Sequence, residues 1–230
     1  MQQEQRRGVM VSEALIFAGG EPLHPIWHEE IRERARRGAL VIAADSGVEH
    51  VHALGLVAAL LIGDLDSASK ESIERARSEG TVIEEHSADK DETDLALALG
   101  AARAARVTHA TVLGVGGGRT DHLFANALLL AEGTYADLII DARFGPDVLS
   151  VVRAQTTLTG SPGDLVTLLA VGGTARGVST SGLRWQLSSE QLEPGSSRGV
   201  SNEMIAGEAV IQIESGVLLA IQPAAIAGLR

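Results

Sequence analysis

Short aliphatic runs alternate with helix-like stretches along the first three-fifths of the chain. The runs occupy residues 14–18, 40–44, 58–62, 81–84, 107–115 and 138–141. They are continuous rather than alternating, which predicts strands buried on both faces, as in a parallel sheet. Between them, apolar positions recur at helical spacing. Trp27, Ile31 and Ala35 fall at i, i+4 and i+8 in a helix predicted over 25–37. Leu95, Ala98, Leu99 and Ala102 form one stripe over 94–106, with Arg103 and Arg106 turned away. Leu123, Phe124, Ala127, Leu128 and Ala131 form another over 121–132. Strand–helix alternation of this kind predicts an α/β layer fold with a Rossmann-like parallel sheet.

Beyond Gly145-Pro146 the pattern changes. Residues 148–152, 164–170, 209–214 and 217–222 read as strands separated by Gly, Ser, Thr and Pro clusters, and no long helical stripe appears. A small all-β sandwich is expected here. The expected domains are therefore 1–145 (α/β) and 146–230 (β-sandwich). So short a β unit is marginal alone and should pack on the first domain or on a second subunit.

Composition narrows the chemistry. Of 230 residues, 30 are acidic and 19 are Lys or Arg, a formal charge of −11. That argues against a nucleic-acid backbone as partner. With 3% aromatic residues there is no stacking platform for single strands. Cysteine is absent, which excludes disulfides and thiolate metal sites. Nothing near the first residues reads as a targeting signal or a membrane span, so the expected location is cytoplasmic.

In an open parallel sheet, ligands bind beyond the carboxyl ends of the strands. The segments there are Gly19-Gly20, Asp45-Ser46-Gly47, Gly63-Asp64-Leu65-Asp66-Ser67 and Gly116-Gly117-Gly118-Arg119-Thr120-Asp121. Glycines admit a phosphate close to the backbone, whereas aspartates repel it unless a cation intervenes. Asp64 and Asp66, two apart, would point the same way if extended. Mg²⁺ takes one or two carboxylates together with substrate phosphates, so the pair reads either as a metal site or as an ordinary turn. Asp91 and Asp94 read either as helix-capping acids or as further metal ligands. Lys90 is a candidate phosphate partner or a solvated lysine. Arg119 suits bidentate phosphate contact, and Asp121 sits at a helix start. Trp185, one of two tryptophans, offers a face for stacking a planar or cationic ring, or else is a core aromatic. The seven histidines show no convincing ligand spacing.

Taken in order, Ala43-Ala44-Asp45-Ser46-Gly47, Leu61-Ile62-Gly63-Asp64-Leu65-Asp66-Ser67, Lys90-Asp91-Glu92-Thr93-Asp94 and Gly117-Gly118-Arg119-Thr120-Asp121-His122 resemble the motifs of the thiamine pyrophosphokinase family. Ser181-Gly182-Leu183-Arg184-Trp185-Gln186-Leu187 resembles that family's substrate loop, and the 195–203 run its C-terminal signature. The resemblance spans roughly residues 14 to 222. It implies pyrophosphoryl transfer from ATP to the hydroxyl of thiamine with Mg²⁺, giving thiamine diphosphate and AMP. It also implies a homodimer with thiamine between the subunits. Carried over by position, Asp64, Asp66 and Asp94 are the metal carboxylates, with Asp91 as a further candidate. Gly19, Gly20, Asp45, Ser46, Gly47, Lys90 and Gly117 lie along ATP. Arg119 and Asp121 stand near the reacting groups. Ser181, Trp185, Ser201 and Asn202 form the thiamine pocket. Two departures are visible. Ser46-Gly47 stands where a Gly-Gly pair is common, and Trp185 where many bacterial relatives have Tyr. The alternatives are a pyrophosphokinase acting on another heterocyclic alcohol, such as a hydroxymethylpterin, and a non-catalytic nucleotide- or thiamine-binding regulator.

Overall fold

The computed structural model describes residues 12–117 and 119–223. The aliphatic runs become strands β1 (Glu13–Phe17), β2 (Leu40–Ala44), β3 (Leu60–Gly63), β4 (Val82–Glu85), β5 (His109–Leu113) and β6 (Ile139–Phe144). All six are parallel, in the order β6-β5-β1-β2-β3-β4. The helices are α1 (His28–Arg36), α2 (Gly47–Ala53), α3 (Lys70–Ser78), α4 (Asp94–Ala104) and α5 (Thr120–Leu130). A single 3-10 turn, Pro25–Trp27, leads into α1.

Side-chain alternation along β1 sorts the core into two layers. Leu15 and Phe17 point to one face, where they pack with Trp27, Ile31, Val48, Val51 and Ala76 from the α1–α3 side. Ala14 and Ile16 point to the other, against Leu95, Ala98, Leu99 and Ala102 of α4 and Leu130 of α5. The α4 stripe is thus buried as its spacing predicts. The α5 stripe is not. Ala127 and Leu130 face the core, but Phe124 and Leu128 are 63% and 58% exposed. The apolar band read from the sequence is wider than the surface the sheet offers, so its outer half stays uncovered.

The later strands are β7 (Asp147–Val152), β8 (Gln155–Thr159), β9 (Leu165–Ala170), β10 (Ala175–Ser181), β11 (Glu190–Leu192), β12 (Asn202–Glu203), β13 (Glu208–Gln212) and β14 (Leu218–Gln222). They do not form a sandwich independent of the first sheet. β6 turns through Gly145 and pairs antiparallel with β7, and β14, β9 and β12 follow, giving one mixed sheet of ten strands. Over its far end lies a separate antiparallel sheet, β11-β10-β13-β8. Val152, Val166, Leu168, Leu218 and Ala220 of the large sheet interdigitate with Leu158, Val178, Ala209 and Ile211 of the small one. The all-β half therefore shares one layer with the parallel sheet, which removes the need for a short β unit to stand alone. Among the described residues no helix is long and apolar enough to cross a membrane.

Candidate active site

Four glycine- and aspartate-bearing segments end the parallel strands, and the sheet register brings them side by side. Ala44 pairs with Ile62, and the Asp45 N–H donates to the Ile62 carbonyl at 2.9 Å. Asp45 therefore stands next to the Gly63-Asp64 turn. Asp45 and Leu65 both adopt positive φ, 47° and 59°. The segment 64–66 is thus not extended, so strand alternation does not set these two carboxylates on one side. It bends at Leu65, and the bend itself draws the carboxylates together. The Asp66 N–H donates to Asp64 Oδ1 at 3.4 Å, and Ser67 Oγ donates to Asp66 at 2.9 Å.

Asp45, Asp64 and Asp66 can each offer an oxygen within 4.8 Å of the others. Asp94, at the first turn of α4, lies outside that trio but beside it, against the Gly63 turn and close enough for its charge to act on Asp45. A Cβ on Gly63, whose φ is 145°, would come within 2.9 Å of Asp94 Oδ1, so glycine is what admits this carboxylate to the turn. Thr93, not Asp91, caps α4, accepting from the Ala96 N–H at 3.2 Å. Asp91 is exposed and lies outside the clustered carboxylates.

Lys90 reaches into the acids from the loop before α4. Its Nζ lies 3.2 Å from Asp64 Oδ2 and 3.0 Å from Asp94 Oδ1. Electrostatics follow from this geometry. Burial raises the Asp45 carboxyl, the charges of Asp94 and Asp64 raise it further, and the Ser46 N–H and Ser67 hydroxyl only partly offset this. Burial also pushes Asp64 upward, but the hydrogen bonds from Lys90 and the Asp66 N–H overcome it and hold the carboxyl below its ordinary value. Lys90 is lowered by desolvation and raised more by Asp94 and Asp64, so it remains protonated.

The donor set fits a hard divalent cation. All candidate ligands are carboxylate oxygens, the preference of Mg²⁺. Asp45 is 8% exposed, and its Oδ1 is buried without a hydrogen bond, as is Asp94 Oδ1 apart from its ion pair with Lys90. The sequence reading sets Asp45 along the nucleotide, and the structure sets it among the clustered carboxylates as well. Its signal is the strand end: it follows β2 as Asp64 follows β3, and β2 and β3 are neighbours.

The glycine loops gather beside the acids. The Gly20 N–H donates to the Gly114 carbonyl at 2.8 Å and the Glu21 N–H to Gly116 at 2.7 Å, tying the loop after β1 to the one after β5. His50 Nε2 adds a 2.9 Å contact to the Gly20 carbonyl. Gly19 packs against Ser46 Oγ and Gly47 against the Phe17 carbonyl so closely that neither position has room for a Cβ. Gly117 lies against Glu21, and Gly118 of the same loop lies outside the described residues. Arg119 and Asp121 form an exposed ion pair at 2.5 Å, and Arg119 holds the Asp121 carboxyl down at about 2.

The remaining candidates form a second patch. Asn202 accepts from the Trp185 N–H at 3.1 Å and donates to the Trp185 carbonyl at 2.7 Å, fixing the backbone of that residue. Arg184 N–H to Glu203 O and Ile205 N–H to Gly182 O stitch the loop after β10 to β12. Ser181 ends β10, and Ser201, at φ 57°, precedes β12 and donates its N–H to Thr167 Oγ1. Trp185 is 52% exposed and so is not a core aromatic, whereas Trp27 is buried. The guanidinium of Arg184 lies 5.2 Å from the centroid of the Trp185 ring.

Known proteins resemble both halves. A family model described as the thiamin pyrophosphokinase catalytic domain matches residues 32–140, and one described as the thiamin pyrophosphokinase vitamin B1 binding domain matches 154–218. A thiamine pyrophosphokinase of Bacillus subtilis (strain 168) is 24% identical over 191 residues, covering 80% of this chain and 86% of that protein. The crystal structure of a Bacillus subtilis thiamine pyrophosphokinase superposes with a TM-score of 0.79 at 22% identity, covering 91% of this chain and 98% of the other. One from Geobacillus thermodenitrificans gives 0.77 at 25%, covering 91% and 96%. The two matched segments lie in chain order on the acid-bearing sheet and on the Trp185 patch, and the fold agrees over nine-tenths of the chain. On this evidence the chain belongs to the thiamin pyrophosphokinase family.

Proposed function

We propose that this chain is a thiamine pyrophosphokinase that transfers the pyrophosphoryl group of ATP to the hydroxyl of thiamine, releasing AMP, with Mg²⁺ held by Asp64, Asp66 and Asp94 and with Asp45 beside them. The observation that carries the reading is the convergence of Asp45, Asp64 and Asp66 at the carboxyl ends of β2 and β3, with Asp94 beside them at the start of α4. When bound, the ion supplies charge neutralisation on the transferred phosphates. The chain's own residues do the rest. The ATP-binding half is 1–145, where Gly19, Gly20, Ser46, Gly47 and Gly117 leave backbone open to phosphate and Lys90 adds a cation. Arg119 offsets charge on the reacting group once it exchanges Asp121 for phosphate. Asp121, released by Arg119, is then a free carboxylate that accepts the hydrogen bond of the thiamine hydroxyl and orients or deprotonates it.

The thiamine-binding half is 146–230, with Ser181, Trp185, Ser201 and Asn202. Sheet order bears on how the halves meet. β12 and β3 stand eight strand spacings apart in the ten-stranded sheet, which is about 38 Å along the sheet at ~4.8 Å per strand. In-line transfer needs reacting atoms within about 3.5 Å. A homodimer that sets the Trp185 patch of one copy over the acids of the other resolves this, and the uncovered Phe124 and Leu128 of α5 provide apolar surface for such contact.

The test is AMP release from ATP and Mg²⁺, comparing thiamine with pterin alcohols. Turnover with thiamine alone is the expected result. Turnover only with a pterin alcohol would replace the substrate, and AMP release with neither would reject the reading.

A further inference from the structure

We propose that Lys90 is an exchangeable counter-cation of the acidic site. It bridges Asp64 and Asp94 and gives up those oxygens when a divalent ion arrives with a nucleotide, whose phosphates then take its ammonium group. This rests on the reading of Asp64, Asp66 and Asp94 as metal carboxylates.

Three observations support it. The first is position: Nζ lies 3.2 Å from Asp64, a member of the clustered carboxylates, and 3.0 Å from Asp94 beside them. A cation there competes with a dication for the same carboxylate charge. The second is charge. Asp45, Asp64, Asp66 and Asp94 meet one lysine, so Lys90 relieves the repulsion among them without balancing it, and further positive charge is still attracted. The third is anchoring. The acids sit on rigid elements, the strand ends of β2 and β3 and the first turn of α4, whereas Lys90 lies in the loop between β4 and α4. Its side chain is 16% exposed, which leaves it a way out toward solvent. A lysine placed for structure alone would lose nothing to a metal. This one stands where every bound ion displaces it.

The consequence is a site that takes free metal poorly and metal-nucleotide well. The experiment titrates the full chain with Mn²⁺, following free ion by electron paramagnetic resonance, with and without a non-hydrolysable ATP analogue. Without nucleotide, Lys90→Met is expected to bind Mn²⁺ about tenfold more tightly than the native chain, because the competitor is gone. Lys90→Arg keeps the charge and is expected to bind like the native chain. With the analogue present the order reverses, and Lys90→Met binds the nucleotide more weakly. A structural role for Lys90 predicts the opposite sign, since loosening the site would weaken Mn²⁺. Unchanged or weaker Mn²⁺ binding by a folded Lys90→Met chain overturns the proposal, as does equal tightening by Lys90→Arg or no reversal with the analogue. Asp64→Asn in the same titration separates the two readings. If it binds Mn²⁺ as the native chain does, the metal assignment itself fails, and this proposal with it.

Discussion

Two clusters of charge lie on the same parallel sheet, and they are built on opposite plans. On the face under α1, Arg34 bonds Glu13 and Glu30, Arg143 bonds Asp141 at 3.0 Å and reaches Glu30 at 3.5 Å, and His109 donates to Asp141 at 2.7 Å. Arg143 also lies over the Trp27 ring at 4.7 Å. Burial raises the Asp141 carboxyl, but the His109 hydrogen bond and the Arg143 charge more than offset it and keep the group ionised. Three carboxylates there meet two guanidiniums and an imidazole, all anchored on strands and a helix. At the carboxyl ends of β2 and β3, four carboxylates meet one lysine on a loop. In the first cluster every carboxylate has a guanidinium partner. The second is left short of positive charge at the place where a parallel sheet binds ligands. Charge imbalance, more than the number of acids, separates the functional cluster from the structural one.

The largest expected effect comes from the unbalanced cluster. Asp64→Asn removes one ligand charge while keeping shape, and metal charge stabilisation is worth several kcal/mol, so AMP formation is expected to fall about a thousandfold. The melting temperature should stay near that of the native chain, because one acid fewer eases the repulsion. A variant that keeps full activity would remove Asp64 from the site. In the balanced cluster the effect falls on stability. Arg143→Met takes one buried partner from Asp141, leaving it to His109, and unstacks Trp27, and weakening such a buried pair costs up to about 3 kcal/mol. Urea unfolding measures this, with the folded fraction keeping its turnover. Unchanged stability would show that the α1-side network is ornament rather than structure.

How much of this could be read in the sequence depends on which physical signal each part leaves. Strands β1, β2, β3 and β5 are buried on both faces, so their runs stand out, and α4 shows its stripe. Helix α3 escaped notice because KESIERARS buries only Ala76, and an amphipathic pattern needs more than one apolar position. β10 escaped because it kinks at Gly177 and shifts register against β11, which breaks the alternation that marks a half-buried strand. The aspartates of the site were legible as residues following aliphatic runs. That Asp45 joins the carboxylates was not, because it depends on β2 and β3 being neighbours. The α1-side network was likewise hidden, since Glu13, Arg34, His109 and Asp141 are scattered in sequence and meet only through sheet register and the packing of α1.

The two tryptophans repeat the comparison on a smaller scale. Each has a guanidinium over its ring, Arg143 over Trp27 at 4.7 Å and Arg184 over Trp185 at 5.2 Å. Trp27 is 8% exposed and its Nε1 donates to the Gly145 carbonyl, so its stacking is closed. Trp185 is half exposed, its backbone is pinned by Asn202, and Arg184 is itself exposed while bonded to Glu203 at 3.1 Å. An aromatic ring held in place and half exposed, which already attracts one cation, suits stacking by a planar or cationic ring of thiamine that takes the place of Arg184. Trp185→Ala is therefore expected to raise the thiamine KM about tenfold, a loss of about 1.4 kcal/mol, with the ATP KM and the melting temperature little changed. Initial rates over a thiamine series measure it. A fall in stability with no change in thiamine KM would place Trp185 beside Trp27 as a packing residue and dissolve the contrast.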